Sequence, residues 1–240
     1  MSQPLYVQVA AYIRERIDSG HYPESARIPT ENELARLLQV SRPTVRQALA
    51  SLAREGYLVR VKGSGTFAAL PKVMHQSTTF LTGYREESEK NHRTLHTRVL
   101  HLGVERATES IIQALSLHSG ERVTRLTRLR HLENLYGNAP VVHTTVYVPT
   151  VLFPGMTQMD FSSISFYDAL AARNLAVSHA SRRLEVMLPQ GDIANLLEIS
   201  MYEPVVCVTS TGWTQGMTPV EYCISYYPAS RSSFLIETHL

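Results

Sequence analysis

The run PTENELARLLQVSRPTVRQALASLAREGYLVRVKGSGTF, Pro29 to Phe67, decides the fold of the first part of this chain. Thr30 precedes an apolar-periodic stretch and Glu33 follows three residues later, the spacing of a reciprocal capping box that satisfies two otherwise unpaired N–H donors at a helix start. A helix is therefore expected to begin near Glu31. Leu34, Leu37 and Leu38 recur at helical spacing until Gln39 and Val40 interrupt them, and Ser41 can then cap a second helix with Pro43 tolerated in its first turn. Two helices joined by about three residues match a helix-turn-helix.

On a helical wheel at about 100° per residue, Val45, Ala48, Leu49 and Leu52 gather on one arc and Arg46, Gln47, Ala50 and Arg54 on another. The first arc is core. The second is either a solvated helix face or a DNA-reading one, because Arg42 and Arg46 stand one turn apart beside the small Thr44, within reach of phosphates or a guanine edge. The continuation favours DNA. Tyr57 to Val61 and Thr66 to Ala69 read as two short strands joined by Lys62-Gly63-Ser64-Gly65, a hairpin wing. Its glycines let backbone N–H groups approach a phosphate or enter the minor groove, and Arg60 and Lys62 supply charge. Gly63 to Ala68 also fits a Gly-x-Gly-x-x-Ala dinucleotide fingerprint, but TFAALP is β-prone and provides no helix after the glycines.

Residues 4 to 69 resemble the N-terminal domain of the GntR family of bacterial transcription regulators. The resemblance is carried by Pro29, Thr30, Glu31, Leu34, Ser41, Arg42, Thr44, Val45, Arg46, Ala48, Leu49, Leu52, Gly56, Gly63, Gly65, Thr66 and Phe67. Asn32 departs from it, since many members carry a basic DNA-contacting residue there. The resemblance and the residue chemistry together place DNA contacts at Thr30, Glu31, Ser41, Arg42, Pro43, Thr44, Arg46, Gln47, Lys62, Gly63, Ser64 and Gly65.

At 240 residues the chain is long enough for two domains, and an apolar fraction of 44% suits ordinary soluble cores. The net charge is only +2, but between Arg27 and Lys62 basic residues outnumber acidic ones, where DNA would lie. Cys207 and Cys223 fall in strand-like apolar runs and read as reduced core thiols. No apolar run approaches 18 residues and no signal-peptide core opens the chain, so the expected compartment is the cytoplasm, without membrane contact. His92 and His96 have the i, i+4 spacing of helical zinc pairs, yet their surroundings read as the start of a strand with no third ligand, so no metal or other cofactor is expected. Gly-x-Ser-x-Gly, His-Glu-x-x-His and Walker motifs are absent from the sequence.

Three segments follow: a winged helix-turn-helix over 1–69, a polar linker over 70–93, and a second domain over 94–240. The second domain reads as strands at Thr94–Gly103, Arg122–His131, Val141–Val148 and Arg183–Met187 and helices at Ala107–Leu117, Ser163–Arg173 and Pro189–Leu197. Val205–Trp213 then pairs with Val220–Tyr227 across a Gln215-Gly216 turn. Antiparallel hairpins mixed with helices give an α+β class.

From Phe80 to Glu237 the sequence resembles the UTRA effector-binding domain of the HutC branch of the same family, with its chorismate-lyase-like antiparallel sheet. The matching pieces are Leu126 to Arg130, Pro140, Tyr147 to Pro149, Pro154-Gly155, Ser165 to Tyr167, Pro219 to Glu221, Tyr226-Tyr227 and Arg231. Arg128 and Arg130 lie two apart in a strand and so share a face, where two guanidiniums can chelate a phosphate, phosphonate or carboxylate; cross-strand ion pairing is the alternative. Ser165 starts a helix, as an anion donor or a plain cap. Glu221 and Tyr227 share a strand face suited to ligand hydroxyls or an ammonium. The resemblance implies an effector pocket of Thr82, Gly83, Tyr84, Arg128, Arg130, Thr144, Ser165, Tyr167, Glu221 and Tyr227. Thr144 stands where members that bind amino-sugar phosphates carry Glu, and the 131–139 loop is longer than usual. The last two strands look like those of regulators of phosphonate utilisation.

The expected protein is a homodimeric, ligand-responsive repressor on a palindromic operator, controlled by a small anionic effector, phosphonate or phosphorylated. The alternatives are a sugar-phosphate or carboxylate effector, an architectural DNA binder without a ligand, and, since the fold resembles a lyase, an enzyme.

Overall fold

The structure, a computed structural model, describes residues 3–76, 94–133 and 138–236. The chain divides into two compact units with the break between Lys72 and Val73.

The first unit opens with helix α1, Leu5–Asp18, which buries Val9, Ala10, Ile13 and Ile17. The spacing of these four residues marks an amphipathic helix that the sequence reading did not single out. Helix α2, Glu31–Leu37, starts with the full capping box: the Thr30 N–H donates to Glu33 Oε2 at 2.7 Å and the Glu33 N–H to Thr30 Oγ1 at 3.4 Å. Gln39 ends the turn in the left-handed region at φ 53°. Helix α3, Arg42–Arg54, is capped by Ser41, whose Oγ accepts from the Thr44 N–H at 3.3 Å. Val45, Ala48, Leu49 and Leu52 are all buried against α1, α2 and Ile28. The wing follows as β1, Leu58–Val61, and β2, Gly65–Ala68, antiparallel. The strand after the glycines excludes the dinucleotide-binding alternative, which needs a helix there. On its other side β2 bonds the chain entering α2, through Ile28 N–H to Thr66 O and Ala68 N–H to Ala26 O.

The expectation of a linker over 70–93 meets a strand: β3, Val73–Gln76, pairs in parallel with β10, Ser232–Leu235. Its short polar sequence gives no local strand signal; the pairing comes from a segment more than 150 residues away. Residues 77–93 lie outside the described residues.

The second unit is built on six antiparallel strands: β4 Leu95–Arg106, β5 Arg122–Leu132, β6 Pro140–Pro149, β7 His179–Met187, β8 Val205–Trp213 and β9 Pro219–Pro228. They lie side by side in the order β4-β5-β6-β9-β8-β7. The helices between them are shorter than the apolar runs that announced them. Helix α4, Glu109–Leu115, stops where Ser116 turns left-handed at φ 53°. Helix α5, Phe166–Ala171, starts after a turn in which Asp160 accepts from Ser162 and Ser163, which withholds those residues from the helix. Helix α6, Ile193–Leu197, begins beyond Gln190-Gly191, so Pro189 is not its first residue. The hairpin after β8 closes between Thr214 and Thr218, and the left-handed residue is Met217, φ 58°, rather than Gly216. Helices α4 and α6 cover one face of the sheet, through Ile111, Leu115 and Val123 and through Leu129, Leu197 and Val205. Helix α5 covers the other, packing Phe166, Ala169 and Leu170 on Leu126, Val146 and Val148 with Phe153, Met156 and Phe161.

Candidate nucleic-acid and effector sites

In the first unit, α3 presents Arg42, Pro43, Arg46 and Gln47 to solvent, while Thr44 is half-buried with its hydroxyl 2.8 Å from that of Ser41. The wing tip Lys62-Gly63-Ser64 is exposed. Beside the wing lies a groove of about 530 Å³ lined by Arg27, Glu31, Arg60, Lys62 and the wing backbone. Three cations against one carboxylate give it a positive character suited to a phosphate backbone. Arg27 was not anticipated. It leans on Gly65, where a Cβ would lie 2.9 Å from its Nε and where φ is 138°, so only glycine lets Arg27 rest against the wing.

Sequence placed Glu31 and Arg46 on the DNA surface as separate contacts. The structure joins them: Arg46 donates from Nε at 3.3 and 3.2 Å and from Nη2 at 3.1 Å to the Glu31 carboxylate. The side chains are 59% and 27% exposed, so water screens the pair and it yields readily to a phosphate or a guanine edge. Glu31, which lines the groove, thereby tethers Arg46 without locking it.

In the second unit, cross-strand register gathers polar residues on the sheet face under α5. Arg128 lies opposite Thr144, Thr144 opposite Ser225, and Cys223 opposite Ser210, which lies opposite Arg182. Arg130 shares the face with Arg128, as expected, and donates from Nη1 to Thr144 Oγ1 at 3.3 Å. Ser225 donates to the same oxygen at 3.2 Å. Thr144 thus stands between the two guanidiniums without adding a carboxylate. Glu221 on β9 accepts at 3.0 Å from the Tyr167 hydroxyl of α5. Gly212 on β8 lies directly opposite, and a Cβ there would come within 2.8 Å of Glu221 Cγ, so the glycine makes room for the acid.

These groups are deeply placed: Arg128 is 4% exposed and Glu221 1%. Burial, then the neighbouring Arg130 charge, lowers the Arg128 pKa well below its usual value, with Glu221 pulling the other way, and its guanidinium lies 5.5 Å from the Phe166 ring. Burial pushes Glu221 up to about 7, against the pull of the Tyr167 hydrogen bond and of Arg182 and Arg128. The Cys223 thiol is pushed up to about 12 by burial and the Glu221 charge, which keeps it a thiol. Cys207 is free as well and points to the opposite face, so the two cannot be bridged. Among the described residues, Arg128 Nε, Ser210 Oγ and Glu221 Oε2 on this face are buried without a hydrogen-bond partner. Leaving such atoms unpaired costs about 1–3 kcal/mol each, and together they present a cationic donor at one end and a carboxylate acceptor at the other.

Two other expected pocket residues fall differently. Ser165 Oγ accepts from the Asp168 N–H of its own helix at 3.3 Å, so it serves as a cap, and a six-residue helix offers an anion little dipole. Tyr227 shares the Glu221 face but is six residues, roughly 20 Å, farther along β9, packed on His75 and Phe234 with centroids at 4.7 and 5.2 Å. One small molecule does not span both. Thr82, Gly83 and Tyr84 lie outside the described residues. Arg182, Ser210, Ser225 and Gly212 were missed because their relevance comes from register across β7, β8 and β9, for which no local motif exists. His96 lies on β4, in a strand as its surroundings implied. Among the described residues no group of three or more His, Cys, Asp or Glu is placed to hold a metal, and no helix is long and apolar enough to cross a membrane.

Comparison with known proteins agrees with both halves. The family model for bacterial regulatory proteins of the gntR family matches residues 5–68, and that for the UTRA domain matches residues 90–233. The HTH-type transcriptional repressor NagR of Bacillus subtilis is 30% identical over 97% of this chain and 93% of its own length. The histidine utilization repressor of Pseudomonas putida is 31% identical over 95% of this chain and 89% of its own. The crystal structure of PhnF from Mycobacterium smegmatis superposes with a TM-score of 0.77 at 24% identity, over 96% of this chain and 99% of that one, a likeness of fold.

Proposed function

Because this chain belongs to the gntR family of bacterial regulatory proteins and carries a UTRA domain, we propose that it is a dimeric repressor of a palindromic operator, whose DNA affinity is altered by a small anionic metabolite bound on the sheet face under α5. The family consists of DNA-binding transcriptional regulators, and the relatives above are repressors, one of them named for histidine utilization. That supports control of a catabolic operon and argues against turnover by the lyase-like fold.

The observation that carries the effector reading is the buried Arg128 guanidinium, whose Nε has no hydrogen-bond partner among the described residues, with Arg130 beside it. A desolvated cation whose donors are not all satisfied is costly, and a bound anion is a partner that offsets the cost. Two guanidiniums on one face suit a tetrahedral phosphonate or phosphate ester, which offers more acceptor oxygens than a carboxylate. Thr144, placed between them, adds a neutral hydroxyl and no carboxylate. Glu221 Oε2 at the other end takes a hydroxyl or ammonium of the same ligand.

At the other unit, one α3 per half-site enters the major groove with Arg42, Arg46 and Gln47 reading base edges, and the wing residues Lys62 to Gly65 follow the phosphates toward the minor groove. Doubling the site about a two-fold axis multiplies a specificity that a single winged helix lacks. The test is thermal stabilisation across phosphonates, sugar phosphates, inorganic phosphate and small carboxylates. A true effector at about a hundred times its dissociation constant adds roughly 2.7 kcal/mol, a readily measured rise in melting temperature. Stabilisation by phosphonates or phosphate esters supports the anion site; a panel in which no anion raises the melting temperature overturns it.

A further inference from the structure

Strand β7 forms one edge of the six-stranded sheet, and its nine residues pair with β8 without a break in register. The other edge, β4, carries an irregularity between Val99 and His101, the kind of bulge that blunts an edge against further pairing. β7 has no such protection in its pairing and is exposed on both faces: Val186 is 73% exposed, and Arg183 and Glu185 are 73% and 52% exposed in their side chains. Leu184 and Leu188 add apolar surface at the same edge. A long, regular, partly apolar edge presents a row of N–H and C=O groups to another strand.

We propose that β7 is the contact through which two copies of this chain associate, the two β7 strands pairing antiparallel about a two-fold axis at Leu184. The register follows from the backbone and the charges. In an antiparallel pair the outward-pointing N–H and C=O groups belong to alternate residues, so a two-fold between identical strands passes through a residue and not between two. Registers that pair at least seven of the nine residues are centred at Arg182, Arg183 or Leu184. The first two set an arginine against its own copy. Centring at Leu184 sets Arg183 against Glu185 of the second copy and Glu185 against its Arg183, so opposite charges meet twice. These two side chains already share a face, 3.2 Å apart in one chain. Leu184 meets Leu184, and Val186 meets the aliphatic stem of Arg182. Arg182 acts electrostatically on Glu221 and Tyr167, so the contact strand also carries a group belonging to the candidate effector site.

This inference rests on the dimeric reading above, and sedimentation equilibrium of the full chain at low salt separates the two. The expected result is a wild-type dimer, a dissociation constant raised about tenfold by Glu185→Arg, which trades two opposite-charge contacts for two like-charge ones, and recovery to within about threefold in Arg183→Glu/Glu185→Arg. Leu184→Cys should cross-link under mild oxidation, since directly opposed residues lie at about 4.5–5.5 Å, within disulfide range; the wild type, with its own two cysteines, should not. A dimer that ignores Glu185→Arg and gives no Leu184→Cys cross-link overturns the interface while leaving the dimer standing. Equal weakening by the single and the charge-swapped variant overturns the register, and a chain monomeric at every concentration overturns both readings.

Discussion

Arg46 donates to Glu31 and Glu221 accepts from Tyr167, and the difference in burial gives the two residues opposite behaviour. The Arg46 pair is solvated, so the arginine exchanges Glu31 for DNA at little cost. Arg46→Ala should weaken specific operator binding by about 1–3 kcal/mol in an electrophoretic or anisotropy titration, while ligand-induced stabilisation of the second unit stays unchanged. Glu221 is buried, and its pKa rises from 4.5 to about 7 on folding. Between those values the folded chain holds more protons than the unfolded one, so this residue's contribution to stability falls as pH rises from about 4.5 to 7 and levels off above. Glu221→Gln removes that slope. Its stability relative to the wild type, from urea unfolding at pH 5 and pH 8, should therefore improve with pH by on the order of 3 kcal/mol. A difference that does not change with pH would mean Glu221 is ionised throughout.

At the scale of elements, the wing depends on two glycines in unlike ways. Both have positive φ, 78° at Gly63 and 138° at Gly65, but Gly63 has open space where a Cβ would go and Gly65 has Arg27. Gly65→Ala should therefore cost about 1–3 kcal/mol and displace Arg27 from the groove, whereas Gly63→Ala pays for φ alone. Guanidinium unfolding should rank the two, and DNA affinity should fall further for Gly65→Ala. These elements were legible in the sequence because their signals are local: Thr30 with Glu33, Ser41 before Pro43, and the apolar arc from Val45 to Leu52 each act within one or two turns. The ends of α4 and α5 were not, since Ser116 and Asp160 terminate or delay those helices by backbone geometry that composition leaves open. β3 was illegible for a stronger reason, since among the described residues it pairs with β10, more than 150 residues away.

At the scale of the whole molecule, the α+β class and Arg128 with Arg130 could be read from strand alternation, but the full polar cluster could not. Ser210, Ser225 and Arg182 become neighbours of Arg128 and Glu221 only through the register of five strands, and one residue of slip would send them all to the face covered by α4 and α6. The same register sets what a ligand can do. An effector changes operator affinity only if it binds the DNA-competent and DNA-incompetent arrangements unequally, and the coupling is reciprocal: whatever factor the ligand imposes on the operator, the operator imposes on the ligand. Titrating the effector with and without a saturating operator duplex should give a ratio of dissociation constants equal to the ratio of operator affinities measured with and without effector. Arg128→Ala should bring both ratios to one while leaving operator affinity at its ligand-free value, because it removes the anion's buried partner and nothing on the DNA surface. A mutant that still responds at wild-type effector concentrations would place the anion elsewhere on the sheet.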